Sequence, residues 1–157
     1  MKIRIPSDAI LEIFKALMDY DPETGVVRSF IPISTERRYL TVWVGGKSWR
    51  IHRVVWYLHY GYWPTSDAID HINGNPRDNR ISNLRAATNK ENARNCKLPR
   101  NSSTGAKGVT RQQGKFRVRI KVNMRKLHLG YYNTLEEAKA AYAAASRKYH
   151  GEFGRVE

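Results

Sequence analysis

The 157-residue chain carries one cysteine, Cys96. A lone thiol excludes a disulfide framework and any zinc site built on cysteine pairs. Long apolar runs are missing too. The opening MKIRIPSDAI lacks the hydrophobic core of a signal peptide, and no stretch approaches a bilayer span. Acidic residues are scarce: 14 Asp and Glu against 28 Lys and Arg, a net charge of +14. These absences argue for a cytoplasmic chain, with no membrane contact, that meets a polyanion, because each Lys or Arg on a phosphate releases condensed counterions. What is present is enough to fold. With 41% hydrophobic and 11% aromatic residues, disorder throughout is excluded.

The cations are unevenly spread. Residues 97–157 hold 14 Lys and Arg and 4 Asp and Glu, leaving only +4 for residues 1–96. A polyanion surface is therefore expected in the last third. The run KLPRNSSTGAK at 97–107 has linker composition. The expected organisation is an N-terminal region and first domain over 1–98, a linker at 99–106 and a second domain over 107–157.

Periodicity supplies the elements. Ile10, Ile13, Phe14 and Leu17 form a helical stripe that Ser7 can cap, ending near Met18. Asp21-Pro22-Glu23-Thr24-Gly25 is turn chemistry. A strand is expected over 26–30, and a hairpin from 39–44 and 48–51 around Gly45-Gly46-Lys47. The run HRVVWYLHY at 52–60 reads as a buried helix that Gly61 and Pro64 end. His52 and His59, inside it, read as structural histidines. Beyond the linker, Phe116, Val118, Ile120 and Val122 alternate with Lys115, Arg117, Arg119 and Lys121, the pattern of a half-buried strand. Asn123-Met124 turns it into a partner over 125–131. Thr134-x-x-Glu137 is a capping box. It opens a helix with Ala138, Ala141, Tyr142, Ala145 and Tyr149 on one stripe.

Residues 67–95 are the densest in polar signal. Asp70 and His71 lie between Ile69 and Ile72, so they sit on a short strand, where neighbours face opposite ways. Asn73-Gly74 and Asp78-Asn79 give loop chemistry. Ile81–Leu84 can return as a second strand, and Thr88-x-x-Glu91 caps a helix that carries Asn92 one turn in. Taken singly, Asp70, Asn73, Asn83 and Asn92 could be turn formers or exposed helix residues. Taken together, strand, loop, strand and helix gather a carboxylate, an imidazole and an amide.

This arrangement resembles the HNH endonucleases, whose ββα-metal motif has the same order, here over about 67–97. It is most similar to the phage and intron-encoded branch, with Asn as the third motif residue. His52-Arg53 and Gly61-x-x-Pro64 fit that branch. The resemblance implies a metal-dependent DNA endonuclease of the homing type. His71 would be the general base, neutral at pH 7 because its ordinary pKa is about 6.5. Asp70 and Asn92 would bind one divalent metal ion, Mg2+ or Mn2+ by the oxygen donor set. Asn83 would hold the loop and orient His71. Arg80, Arg85 or Arg94 could clamp phosphates.

Residues 107–153 resemble the plant Apetala-type, ethylene-response-factor DNA-binding domain. The match rests on Gly108-Val109, Gly114-Lys115-Phe116, Leu129-Gly130-Tyr131-Tyr132, and Thr134 through Ala138 with Ala141-Tyr142. It implies a three-stranded antiparallel sheet packed on one helix. The DNA face would carry Lys107, Thr110, Gln112, Arg117, Arg119, Lys121, Lys126 and His128. The plant pattern has arginines at positions 110 and 112 and tryptophan at 128, so its target does not transfer.

The expected fold class is α+β, a ββα-metal nuclease domain followed by the sheet-and-helix module. The expected partner is double-stranded DNA, with no obligate protein partner and a phage or mobile-element setting. The rival readings are a DNA-binding regulator that keeps the nuclease fold without cleavage, and an RNA-binding protein. The second is disfavoured because the deep major groove of RNA excludes such a sheet.

Overall fold

The computed structural model describes residues 4–98 and 101–156. Residues 99 and 100 of the expected linker lie outside the described residues, as do 1–3 and 157. The chain forms two compact units, Met1–Asn92 and Ala93–Glu157.

The first unit opens with α1, Asp8–Leu17. Ser7 stands at its N-cap, but through its backbone. Its carbonyl accepts from Ile10 and Leu11 at 2.9 and 3.0 Å, and its side chain makes no capping bond. Strands β1, Met18–Tyr20, and β2, Val27–Ser29, pair antiparallel around the Asp21–Gly25 turn. Periodicity gave no sign of β1, which is only three residues long. Strand β3, Ile33–Ser34, is shorter still. It pairs with β4, Thr41–Val44, which pairs with β5, Lys47–Arg50. The latter two form the expected hairpin, turning at Gly45-Gly46.

Helix α2 runs Ile51–Tyr60. It is apolar on most sides and buries Ile51, Val54, Val55, Trp56 and Tyr57. Phe14, Trp49 and Trp63 meet it as a triad. Trp49 and Trp63 cross edge to face at 5.6 Å, and Phe14 stacks on Trp63 at 6.3 Å. Burying each such side chain is worth about 2–3 kcal/mol. The indole N–H groups of Trp49 and Trp63 donate to Val44 O and Arg4 O, so neither enters the core unsatisfied.

Strand β6, Ala68–His71, pairs antiparallel with β7, Leu84–Ala87. The return was expected from residue 81. Instead Ile81–Asn83 is a single 3-10 turn, closed by Asn83 N donating to Arg80 O. Ile81 is held there by its own N–H on Pro22 O at 3.1 Å, which draws it off the ladder. Ile69 and Leu84 join the α2 core. Helix α3, Asn89–Arg94, follows. Thr88 and Glu91 exchange the two bonds of a capping box at its start.

In the second unit β8, Val109–Gln112, β9, Lys115–Val122, and β10, Arg125–Tyr132, form an antiparallel sheet in the order β10-β9-β8. Helix α4, Leu135–His150, covers one face and starts with the expected capping box on Thr134. Val118 and Ile120 are fully buried against Ala138, Tyr142 and Ala145. The stripe closes on Ser146 and His150 instead of Tyr149, which is exposed. His150 is drawn in because its ring nitrogen lies 3.0 Å from Lys121 O.

The linker reaches less far than its composition implied. Ala106 is buried in this second core, and Thr104 Oγ1 donates to Val109 O at 3.0 Å. Residues 104–106 are therefore part of the folded unit.

Gly108 sets the distance between sheet and helix. Its φ is +72°, and a Cβ there would overlap the Tyr142 ring and the Arg119 carbonyl oxygen. Both backbone strain and overlap oppose any side chain. Gly108→Ala should destabilise the second unit by ~2 kcal/mol or more, read as a lower denaturation midpoint. A wild-type midpoint would show that the sheet and helix can separate freely.

Candidate functional site

The site grows from the β6–β7 pair and the loop between them. Asp70 is the one buried carboxylate among the described residues. A buried charge needs compensation, and its register partner supplies it. Arg85 Nε and Nη2 donate to Asp70 Oδ2 at 3.0 and 2.8 Å. Arg85 is therefore committed to Asp70 and is no open phosphate clamp. Arg80 is committed in the same way, to Asp78 through two bonds of 2.9 and 2.6 Å. Those bonds hold the Asp78 carboxyl down to about 2.

His71 is also buried, and it meets a different set of groups from Asp70, as strand alternation requires. Its Nε2 lies 3.3 Å from Asn79 Oδ1. An amide oxygen only accepts, so Nε2 carries the hydrogen and Nδ1 keeps the lone pair. Burial pushes the imidazole below its usual pKa. The bond donated to Asn79 and the charge of Asp70 oppose that shift in part. The ring is thus held neutral in one tautomer.

Asn79 is the residue that sequence reasoning passed over, treating it as loop chemistry. It is buried, and its backbone is fixed from a distant part of the chain. Tyr20 donates its hydroxyl to Asn79 O at 2.8 Å, and burial first of all pushes that phenol up to about 12. Gly25, at φ +74°, packs on the same segment, and a Cβ there would come within 2.5 Å of Arg80 N. Pro22 O holds Ile81 N.

Asn83, expected to hold the loop and orient His71, is seen holding the loop. Its side chain accepts from Asn73 N at 3.0 Å and donates to Asn73 Oδ1 and Asp78 O. The ring contact to His71 comes from Asn79.

His52 also belongs here, more closely than its reading as a structural histidine implied. It is buried, and its ring stands edge-on to His71 at 5.1 Å. Burial, and then the repulsion that protonating both rings would bring, hold its pKa well below the ordinary value. Tyr39 lies against both rings, at 5.2 and 6.1 Å. His59 is exposed, edge-on to Tyr60.

Asn92 is half-buried on α3, with its N–H on Thr88 O. Pairing of Ala68 with Ala87 starts α3 beside the head of β6, and Asn89 N reaches Asp67 Oδ2 at 3.4 Å. Among the described residues no group of three or more His, Cys, Asp or Glu side chains gathers at metal-binding range. The two donors expected from the sequence, the Asp70 carboxylate and the Asn92 amide oxygen, are of the kind taken by a hard ion that keeps most of its water. They do not fit zinc.

On the second unit, Thr110, Gln112, Lys121, Lys126 and His128 are exposed, and Arg117 and Arg119 are half-buried. The register sets Thr110 beside Arg117, Arg119 beside His128 and Lys121 beside Lys126. Tyr131, opposite Arg117, completes this face. It is 4.9 Å from His128, and its hydroxyl reaches Gln112 Oε1. Lys107 is different. It precedes β8, and its ammonium donates inward to Arg94 O and Cys96 O at 2.9 and 2.6 Å. Its charge therefore serves the fold, with burial lowering its pKa.

Against known proteins, residues 50–94 match the family described as HNH endonuclease. The matched segment contains α2, β6, the loop, β7 and α3, and with them Asp70, His71, His52, Asn79, Asn83 and Arg85, while Tyr39 and Tyr20 lie outside it. Protein 3.8 of Escherichia phage T7 is 36% identical over 110 residues, covering 69% of this chain and 91% of that protein. The chain is a member of the HNH endonuclease family and a homologue of this phage protein. No solved structure matches it. Among the described residues no helix is long and apolar enough to cross a membrane.

Burial of two neutral histidines makes stability pH-dependent. The unfolded chain takes up protons at about 6.5, while folded His52 and His71 do so only at lower pH. Protons then favour unfolding, and stability present above about 6.5 is lost as the pH falls. The chain should melt at a lower temperature at about pH 5.5 than at about pH 7.5, and His52→Leu should narrow that difference. An equal difference in the variant would show that His52 is not buried neutral.

Proposed function

We propose that this protein is a divalent-metal-dependent endonuclease that hydrolyses DNA phosphodiester bonds, with target binding by the basic sheet of its second unit. The observation that carries this reading is His71. It is a buried imidazole kept neutral by burial and in a single tautomer by Asn79, adjacent in sequence to the buried carboxylate Asp70, inside the segment that matches the HNH family.

In this reading His71 accepts a proton from the attacking water at Nδ1. A neutral imidazole does so at pH 7, and pKa depression by burial keeps it available. Asn79 holds the ring, and Asn83 holds the loop that brings Asn79 to it. Asp70 and Asn92 would hold Mg2+ or Mn2+. Such an ion supplies charge stabilisation to the phosphoryl oxygens and to the leaving oxygen. Arg85 fixes the Asp70 carboxylate in place through its two bonds.

The second unit supplies affinity. Its sheet sets Lys121 opposite Lys126 and Arg119 opposite His128. The two lysines, directly opposite each other, destabilise the sheet, and a polyanion on that face removes the cost. Thr110, Gln112, Arg117 and Tyr131 complete the surface. A three-stranded sheet on one helix supports the resemblance to the ethylene-response-factor domain, with the sheet entering the major groove. Lys107 is left out of this surface because its ammonium is engaged inside the fold. The phage homologue supports action inside an infected cell, and we extend the reading to a homing or other mobile-element role there.

Supercoiled plasmid incubated with the protein and Mg2+ or Mn2+ should be nicked, and excess chelator should stop the reaction. His71→Ala should lower the rate by ~10²–10⁴ while leaving DNA affinity close to wild type. A wild-type protein that binds DNA and never cuts it would instead identify a regulator that keeps the nuclease fold.

The division of labour has its own test. Removing residues 100–157 should weaken duplex binding strongly at fixed salt, since most of the net charge goes with them. A truncated chain that binds as tightly as the whole would place the DNA surface in the first unit.

A further inference from the structure

Arginines of the first unit differ in what engages them. Arg85 and Arg80 are tied to Asp70 and Asp78, and Arg28 lies near Asp19. Arg38 and Arg50 form no ion pair among the described residues, and both are exposed. They are nevertheless fixed in place. The Arg50 guanidinium lies 4.9 Å from the centre of the Tyr39 ring, and that of Arg38 lies 5.5 Å from it. The same ring touches His52 and His71.

Local structure explains the convergence. β4 and β5 pair with Thr41 opposite Arg50, and Ile51 N donates to Leu40 O at 2.9 Å. Tyr39 and Leu40 therefore continue the hairpin alongside the first turn of α2, which brings Tyr39 against Arg50 and His52. The preceding loop is tied to the β6–β7 loop. Arg77 Nη2 donates to Thr35 O at 2.6 Å and reaches Arg37 O at 3.4 Å.

A guanidinium stacked on an aromatic face keeps its in-plane N–H donors turned outward, and it is weakly hydrated. Two such groups around one ring, with no carboxylate bound to either, make an oxyanion receptor with its side chains already ordered. We propose that Arg38 and Arg50, seated on Tyr39, form a phosphate-binding subsite beside His71 that holds a phosphodiester of the DNA strand to be cut. This rests on the nuclease reading above and assigns it a substrate-contacting surface in the first unit. The field of Arg38 reaches His71, where it disfavours the protonated ring and so works with burial. The neighbouring acids leave the subsite cationic. Asp78 is neutralised by Arg80, Asp70 by Arg85, and Glu36 is the one acidic residue in the loop that carries Arg38.

The test compares the full-length chain with Arg38→Ala/Arg50→Ala and with Arg38→Lys/Arg50→Lys. One measurement is the salt dependence of affinity for a short fluorescein-labelled duplex, with chelator present. The other is the nicking kinetics of supercoiled plasmid with Mn2+. Loss of two phosphate contacts should reduce the slope of log affinity against log salt by about 2, since each contributes roughly 0.9. KM should rise about tenfold or more. The lysine pair should restore most of the slope, because it keeps the charge, and only part of KM, because it loses the planar fork. An unchanged slope and KM in the alanine pair overturn the proposal. So does a lysine pair as defective as the alanine pair with a lowered melting temperature, which would mark a structural role. If the wild type binds but does not cut, the hydrolytic reading falls, and the salt slope alone decides whether the two arginines hold phosphate.

Discussion

The site depends on how α2 holds the strand that carries Asp70 and His71. Arg53, on that helix, donates to the carbonyls of Pro64, Ser66 and Asp67 at 3.1, 3.1 and 3.0 Å. Those residues lead directly into β6. Three bonds from one planar group fix the entry of a strand that is only four residues long and could not fix itself. The neighbouring residue His52 meets His71 from the same helix. Two consecutive positions thus set where β6 begins and what its last ring rests on, and the β6–β7 register follows from that.

Legibility varied with the kind of force involved. Elements held by periodic burial were plain: α2 from its apolar run, β9 from its alternation, α4 from its capping box. Elements held by single polar contacts were not. β1 exists because the Asp21–Gly25 turn folds it onto β2, and three residues carry no period. The strand expected from Ile81 gave way to a turn because Pro22 O takes the N–H of Ile81, sixty residues or so along the chain. In the site, Asp70, His71 and Asn83 stood out through their order and spacing. Asn79 and Tyr39 did not, since an Asn after Asp reads as turn chemistry and Tyr39 reads only as the first residue of an expected hairpin strand. Only their distance from His71 in space gives them meaning.

The charge of the protein divides by use more sharply than by position. In the first unit two arginines neutralise the carboxylates beside the nuclease motif, one ties the entry of β6 and one ties two loops together. In the second unit, Lys121 and Lys126 face one another across the sheet with no acid between them. Lys107 shows that even there a basic residue can serve the backbone. A net charge of +14 therefore overstates the cation free to meet a polyanion, because part of it is already balanced by carboxylates or directed at carbonyls.

The splint formed by Tyr20, Pro22 and Gly25 lies outside the 50–94 segment that matches the HNH family. That segment contains the histidine, the carboxylate and the loop, yet the backbone of Asn79 is braced by a hairpin some fifty residues earlier. The recognisable motif is thus not a portable cassette. Grafted alone into another scaffold, it would keep its reactive side chains and lose the brace that sets the tautomer of its imidazole. Here the smallest transferable piece reaches back at least to Tyr20.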